Sequence, residues 1–97
     1  MNNLPLIPVK YILKLYITGA SANSMLAINN IKAICEEYLK DNYDLEVVDI
    51  YQQPEIAKND QIIALPLLIR SSPLPVKRLI GNMTNTVKVL KGLELSE

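Results

Sequence analysis

The sequence contains no histidine, no tryptophan and no phenylalanine, and it has a single cysteine, Cys35. Without histidine the chain lacks the commonest general base and the commonest metal ligand. One thiol cannot close an internal disulfide, so no disulfide framework is expected. With only three glycines there is no glycine-rich loop to cradle a phosphate chain. Ten basic residues balance ten acidic ones. A formal charge of zero argues against broad electrostatic capture of nucleic acid or an anionic membrane. The acidic residues are scattered, with no catalytic carboxylate pair and no metal-ligand spacing. No apolar run reaches the roughly 20 residues that span a bilayer. The first ten residues carry no basic stretch ahead of an apolar core, so a signal peptide is not expected and the protein is read as cytoplasmic. These absences predict no enzyme, no cofactor, no nucleic acid and no membrane partner.

What is present is apolar: 49% of the 97 residues, with five tyrosines as the only aromatics. That composition suits one small α/β domain over residues 1–97 with an aliphatic core, preceded by a proline-containing arm at residues 1–9. Tyr11 to Ile17 is a β-prone run, apolar on both faces except for Lys14, as expected of a central strand. Gly19 follows in the turn. Ala22 to Lys40 reads as the longest helix, capped by Ser21 or Asn23. Its apolar stripe is Ile28, Ile31, Cys35 and Tyr38, widened by Met25, Ile34 and Leu39. Leu45 to Ile50 is a second strand; a long helix between two strands implies a parallel pair. Pro54 fits the first position of a short helix reaching about Gln61.

Ile62 to Arg70 is almost wholly apolar, and Pro66, which cannot donate to a sheet, should begin the strand within it. Ser71 to Pro75 forms a turn and Val76 to Ile80 an antiparallel strand. Thr84 is expected to cap a final helix with Val87, Leu90 and Met83 facing inward, and Gly92 to end it. The order is βαβαββα, that of the thioredoxin-like fold. Thioredoxins carry Cys-x-x-Cys between the first strand and first helix. Here Ser21-Ala22-Asn23-Ser24 occupies that place, which predicts helix capping rather than dithiol exchange. Cys35, on the inward stripe far from that site, reads as a structural thiol. Asp49 is expected to hydrogen-bond at its strand end. Tyr11, Tyr16 and Tyr51 are candidate interface anchors, Tyr16 equally a core residue. Lys77-Arg78 is a candidate patch for an acidic partner, or a solvated face.

Several segments, in order and register, resemble the KaiB family of clock proteins. They are Tyr11-Ile-Leu-Lys-Leu-Tyr-Ile-Thr-Gly19, Asn23-Ser24, Val48-Asp49-Ile50, Gln53-Pro54-Glu55-Ile-Ala57, Ile63-Ala-Leu-Pro-Leu-Leu68, Pro73-Leu-Pro-Val-Lys-Arg-Leu-Ile-Gly81 and Lys88-Val-Leu-Lys-Gly-Leu-Glu94. Leu26, Gln61, Leu74 and Asn82 depart from the family pattern, three of them where it places a charge. The resemblance implies a non-enzymatic regulator that binds a KaiC-type ATPase, with KaiA-like and sensor-kinase proteins as further partners and a homodimer or homotetramer as a possible assembly. It also implies two folds, the thioredoxin-like one and a ground-state form with a rearranged C-terminal half, and a cis peptide at Pro66 in the first. Lys14, Lys58, Pro66, Arg70, Lys77 and Arg78 are the implied partner-binding residues. Gly19, Cys35, Asp49, Pro54, Gly81 and Gly92 are the structural ones. The competing expectation is a thioredoxin-fold protein of oxidative or stress response without a dithiol.

Overall fold

The computed structural model describes residues 9–59 and 64–95. Within them the elements run β1 (Tyr11–Ile17), α1 (Ala22–Tyr38), β2 (Tyr43–Asp49), α2 (Pro54–Asn59), β3 (Leu67–Ser72), β4 (Lys77–Ile80) and α3 (Thr86–Gly92). The expected order is found, in its thioredoxin-like form. One four-stranded sheet has the order β2-β1-β3-β4. β1 pairs with β2 in parallel and with β3 antiparallel, and β3 pairs antiparallel with β4.

Side chains alternate across a strand, so each strand feeds both sheet faces. Leu13, Leu15 and Ile17 of β1 and Leu68 of β3 point to one face. There Ala27, Ile31, Ile34, Cys35 and Leu39 from the α1 segment, with Val89 and Leu93 from the α3 segment, close over them. Burying a side chain such as Leu15 contributes about 1.5–3 kcal/mol. The opposite face holds a smaller cluster, Tyr16, Val48 and Leu67, on which Ile56 of α2 packs.

α1 begins at Ser21, whose Oγ accepts from the Ser24 amide at 3.2 Å. The helix stops at Tyr38, short of the expected Lys40. Leu39 turns into the core as its C-cap, and Asp41 takes a left-handed backbone (φ 64). Met25, expected on the inward stripe, is exposed, and the small Ser24 and Ala27 pack inward in the first turns. Small residues let the helix lie close to the sheet there. Pro54 is the first residue of α2, as expected. Gln61, Ile62 and Ile63, expected to end that helix and open the next strand, lie outside the described residues. The Leu65–Pro66 peptide is cis and Pro66 immediately precedes β3.

The last helix differs from expectation in three ways. Asn85 caps it, accepting from the Lys88 amide at 3.1 Å, because Thr84 is engaged by the Asn82 side chain. Val87 faces solvent, while Met83, Val89 and Leu93 are buried. Gly92 does not act as a left-handed cap: Leu93 is the C-cap, and the positive φ falls on Glu94. Gly92 is instead required by proximity, since a Cβ there would collide with the Leu79 side chain of β4.

Candidate interaction face

Among the described residues, the elements leave part of one sheet face uncovered. On that face β2 presents Asp44 and Glu46, β1 presents Ile12 and Lys14, β3 presents Ile69 and Ser71, and β4 presents Arg78 and Ile80, as strand register and alternation require. α2 covers only the end marked by Tyr16, Val48 and Leu67. Beyond it Lys14, Tyr16, Ile69, Ser71 and Arg78 line an open hollow of about 260 Å³. Ser71 reaches the hollow because β3 bulges: Leu13 lies opposite Arg70 and Ile12 opposite Ser72, leaving Ser71 as the extra residue. The bulge is pinned by Ser72 Oγ donating to Lys10 O at 3.1 Å and Ser71 Oγ to Ile12 O at 3.4 Å. A second open hollow, about 400 Å³, runs from Arg78 along β4 to Asn85 and Lys88.

Charge is sorted across this face. β2 carries Asp44, paired with Lys10 at 3.2 Å, and Glu46, the register neighbour of Lys14. The β1 and β4 positions supply the cations Lys14 and Arg78, both exposed. Lys58 is exposed on α2, the helix that flanks the same face. Pro66 is buried at the start of β3. Of the six implied partner-binding residues, the structure therefore joins Lys14 and Arg78 in one hollow and leaves Lys58 exposed on α2, outside its lining.

Arg70 and Lys77 go to the other side of the sheet, where they are register neighbours. Arg70 must be corrected from a partner-binding residue to an interior one. Its exposure is 0%, and its Nη1 donates to Leu93 O at 2.8 Å. Its Nη2 donates to Pro75 O at 2.8 Å and to Glu94 Oε1 at 3.0 Å. The guanidinium lies 5.7 Å from the centre of the Tyr11 ring, and Tyr11 OH also donates to Leu93 O, at 3.3 Å. Charge-assisted bonds of this kind are strong when shielded from water. They tie β1, the Pro75 loop and the end of α3 together. Its two-residue spacing from Leu68 was the available signal for this orientation.

Asp49 Oδ1 accepts from the Gly19 amide at 3.0 Å and the Tyr51 amide at 2.9 Å, joining the ends of β1 and β2. Gly19 holds a left-handed φ of 59 beneath the Tyr51 ring, while the rest of Tyr51 is exposed. Gly81 follows β4 at φ 118. At the place of a dithiol, Ser24 is buried and its Oγ accepts from Ser21 Oγ at 2.8 Å and from the Thr18 amide at 3.2 Å. Cys35 is fully buried, and burial, with the nearby Glu36 carboxylate, pushes its pKa up to about 12. Such a thiol does not supply a thiolate at neutral pH. Among the described residues no group of carboxylates and thiols is placed to hold a metal ion, and no helix is long and apolar enough to cross a membrane.

This architecture is a thioredoxin-like domain whose dithiol position holds serines. The N-terminal domain of SasA from Synechococcus elongatus superposes with a TM-score of 0.71 at 17% identity, covering 100% of this chain and 95% of that one. Mitochondrial thioredoxin 3 from Saccharomyces cerevisiae gives 0.70 at 15% identity, over 88% and 77%. Sequence narrows the class further. Residues 14–95 match the KaiB domain. The chain is 46% identical over 86 residues to the circadian clock protein KaiB3 of Synechocystis sp., spanning 89% of this chain and 84% of that one. It is 47% identical over 85 residues to the circadian clock oscillator protein KaiB of Prochlorococcus marinus, spanning 88% and 79%. The chain belongs to the KaiB family, whose relatives named here are clock proteins.

Proposed function

We propose that the chain is a non-enzymatic regulator of the clock type, working in the cytoplasm by docking onto a KaiC-type ATPase through the open part of the sheet face that carries Lys14 and Arg78. The observation that carries this reading is the convergence of Lys14 and Arg78 on one open hollow, in a chain of the KaiB family. Cations at a partly apolar face favour an acidic partner surface and raise the rate of encounter. Lys58 extends the basic border onto α2, and exposed Ile12 and Ile80 supply apolar area on the same face. The single thioredoxin-like domain is the docking unit. Its fold matches that of the SasA N-terminal domain, which supports a sensor-kinase domain of that shape as a competitor for the same ATPase surface. KaiA-like proteins are the further partners on this reading. The stress-response alternative draws no support from Cys35, which is buried and protonated.

The direct test is equilibrium binding of the purified chain to the double-ATPase protein encoded by the same organism, followed by fluorescence anisotropy. Association with a dissociation constant on the order of 10 μM or tighter is expected. No association at several times that concentration overturns the reading.

A further inference from the structure

We infer that the hollow between Lys14 and Arg78 is a binding site for a phosphate monoester, whose organic part lies against Ile69. The inference uses the same face as the docking reading but does not depend on which protein docks there. Four features of the hollow select this ligand chemistry. An ammonium and a guanidinium border it from strands on either side of β3, so two positive charges oppose one dianion. Arginine presents its donors as a planar fork that fits oxyanion geometry, while lysine acts as a compact charge. Ser71, placed there by the bulge, brings a hydroxyl whose present bond to Ile12 O is long at 3.4 Å, so it can rotate to donate into the hollow. The volume, about 260 Å³, exceeds what one phosphate group fills, and the half-buried Ile69 offers the surplus an apolar wall, since Tyr16 at the hollow's floor is only 2% exposed. A free inorganic anion would leave that apolar wall unused.

Among the described residues, Glu46 opposes the anion. It sits beside Lys14 on the same face, one strand further from Arg78. It weakens the site without closing it, because it lies on the far side of Lys14 and does not line the hollow. Its removal should strengthen binding, an effect of opposite sign to the loss of either cation.

The test is a chemical-shift titration of the full chain with phenyl phosphate, inorganic phosphate and sodium chloride at matched ionic strength. The expected result is saturable movement of the Lys14, Ile69, Ser71 and Arg78 amides with phenyl phosphate. Its dissociation constant should be on the order of 1–10 mM, with weaker binding of inorganic phosphate. Arg78→Gln should weaken phenyl phosphate by about fivefold or more, and Glu46→Gln should tighten it by about twofold. Reproduction of the shifts by chloride overturns the inference, as does an unchanged titration in Arg78→Gln. Equal affinity for inorganic phosphate overturns the ester assignment, and shifts centred on Asn85 and Lys88 overturn the placement. A flat titration with ATPase docking intact removes this inference alone. A saturable titration without docking removes the docking reading alone.

Discussion

The two faces of the sheet treat similar residues in opposite ways. On the covered face, α1 and α3 close over Leu13, Leu15, Ile17 and Leu68, and the buried cation there, Arg70, is taken up by carbonyls and a carboxylate of the chain itself. On the other face α2 covers only one end, and Lys14 and Arg78 stand at a hollow open to solvent. Arg70 and Arg78 lie on neighbouring strands, yet one is a structural fastener and the other is exposed. Residue type does not assign the role; strand parity and the reach of the covering helices do. The covered face should govern stability and the open face should govern binding, and substitutions on each test that separation.

The largest loss of stability is expected from Leu15→Ala, at the centre of the covered face. The deleted methyl groups leave a cavity between β1 and α1, and urea unfolding should fall by about 2–5 kcal/mol. Arg70→Ala follows at about 2–4 kcal/mol, since a fully buried side chain is removed together with its bonds to Leu93 O and Pro75 O, and Leu93 O keeps only the Tyr11 hydroxyl. A loss under about 0.5 kcal/mol would return Arg70 to the surface set. Gly92→Ala drives a methyl group into Leu79 and should cost about 1–3 kcal/mol by the same assay.

Cys35 sharpens the comparison through pH. Its folded pKa of about 12 lies above the ordinary value of 9.0, so the folded chain holds a proton that the unfolded chain releases between those values. The contribution is fully present below about pH 9 and is lost as pH rises towards 12. At neutral pH the thiol should react with a disulfide reagent only at the rate of global unfolding. Burst labelling of the native protein would contradict its burial. The smallest effects on stability belong to the open face: Lys14→Gln and Arg78→Gln should each stay within about 0.5 kcal/mol of the parent in urea unfolding.

Much of this separation was legible in the sequence, and the reasons it was not complete are specific. The run Tyr11 to Ile17 and the long helix after it follow from apolar patterning strong enough to survive any tertiary context. Pro54 and Ser21 carry local signals that the structure uses as expected. The C-terminal elements are short, four residues in β4 and seven in α3, so one shifted cap changes which side chains face inward. Asn85 displaced Thr84 as cap because Asn82, reached from α1 by Asn30, engages the Thr84 hydroxyl. Val87 consequently points outward and Val89 inward. Lys14 and Arg78 could be singled out separately, but their meeting depends on β1 and β4 flanking β3. Ser71 enters the hollow through a bulge that no residue pattern announces.

The most direct test of the separation is binding of the Lys14→Glu/Arg78→Glu double variant to the KaiC-type ATPase, measured beside its thermal unfolding. Affinity should fall by at least about tenfold while the melting temperature stays within a few degrees of the parent. Unchanged affinity in a variant that melts like the parent would contradict the assignment of docking to this face.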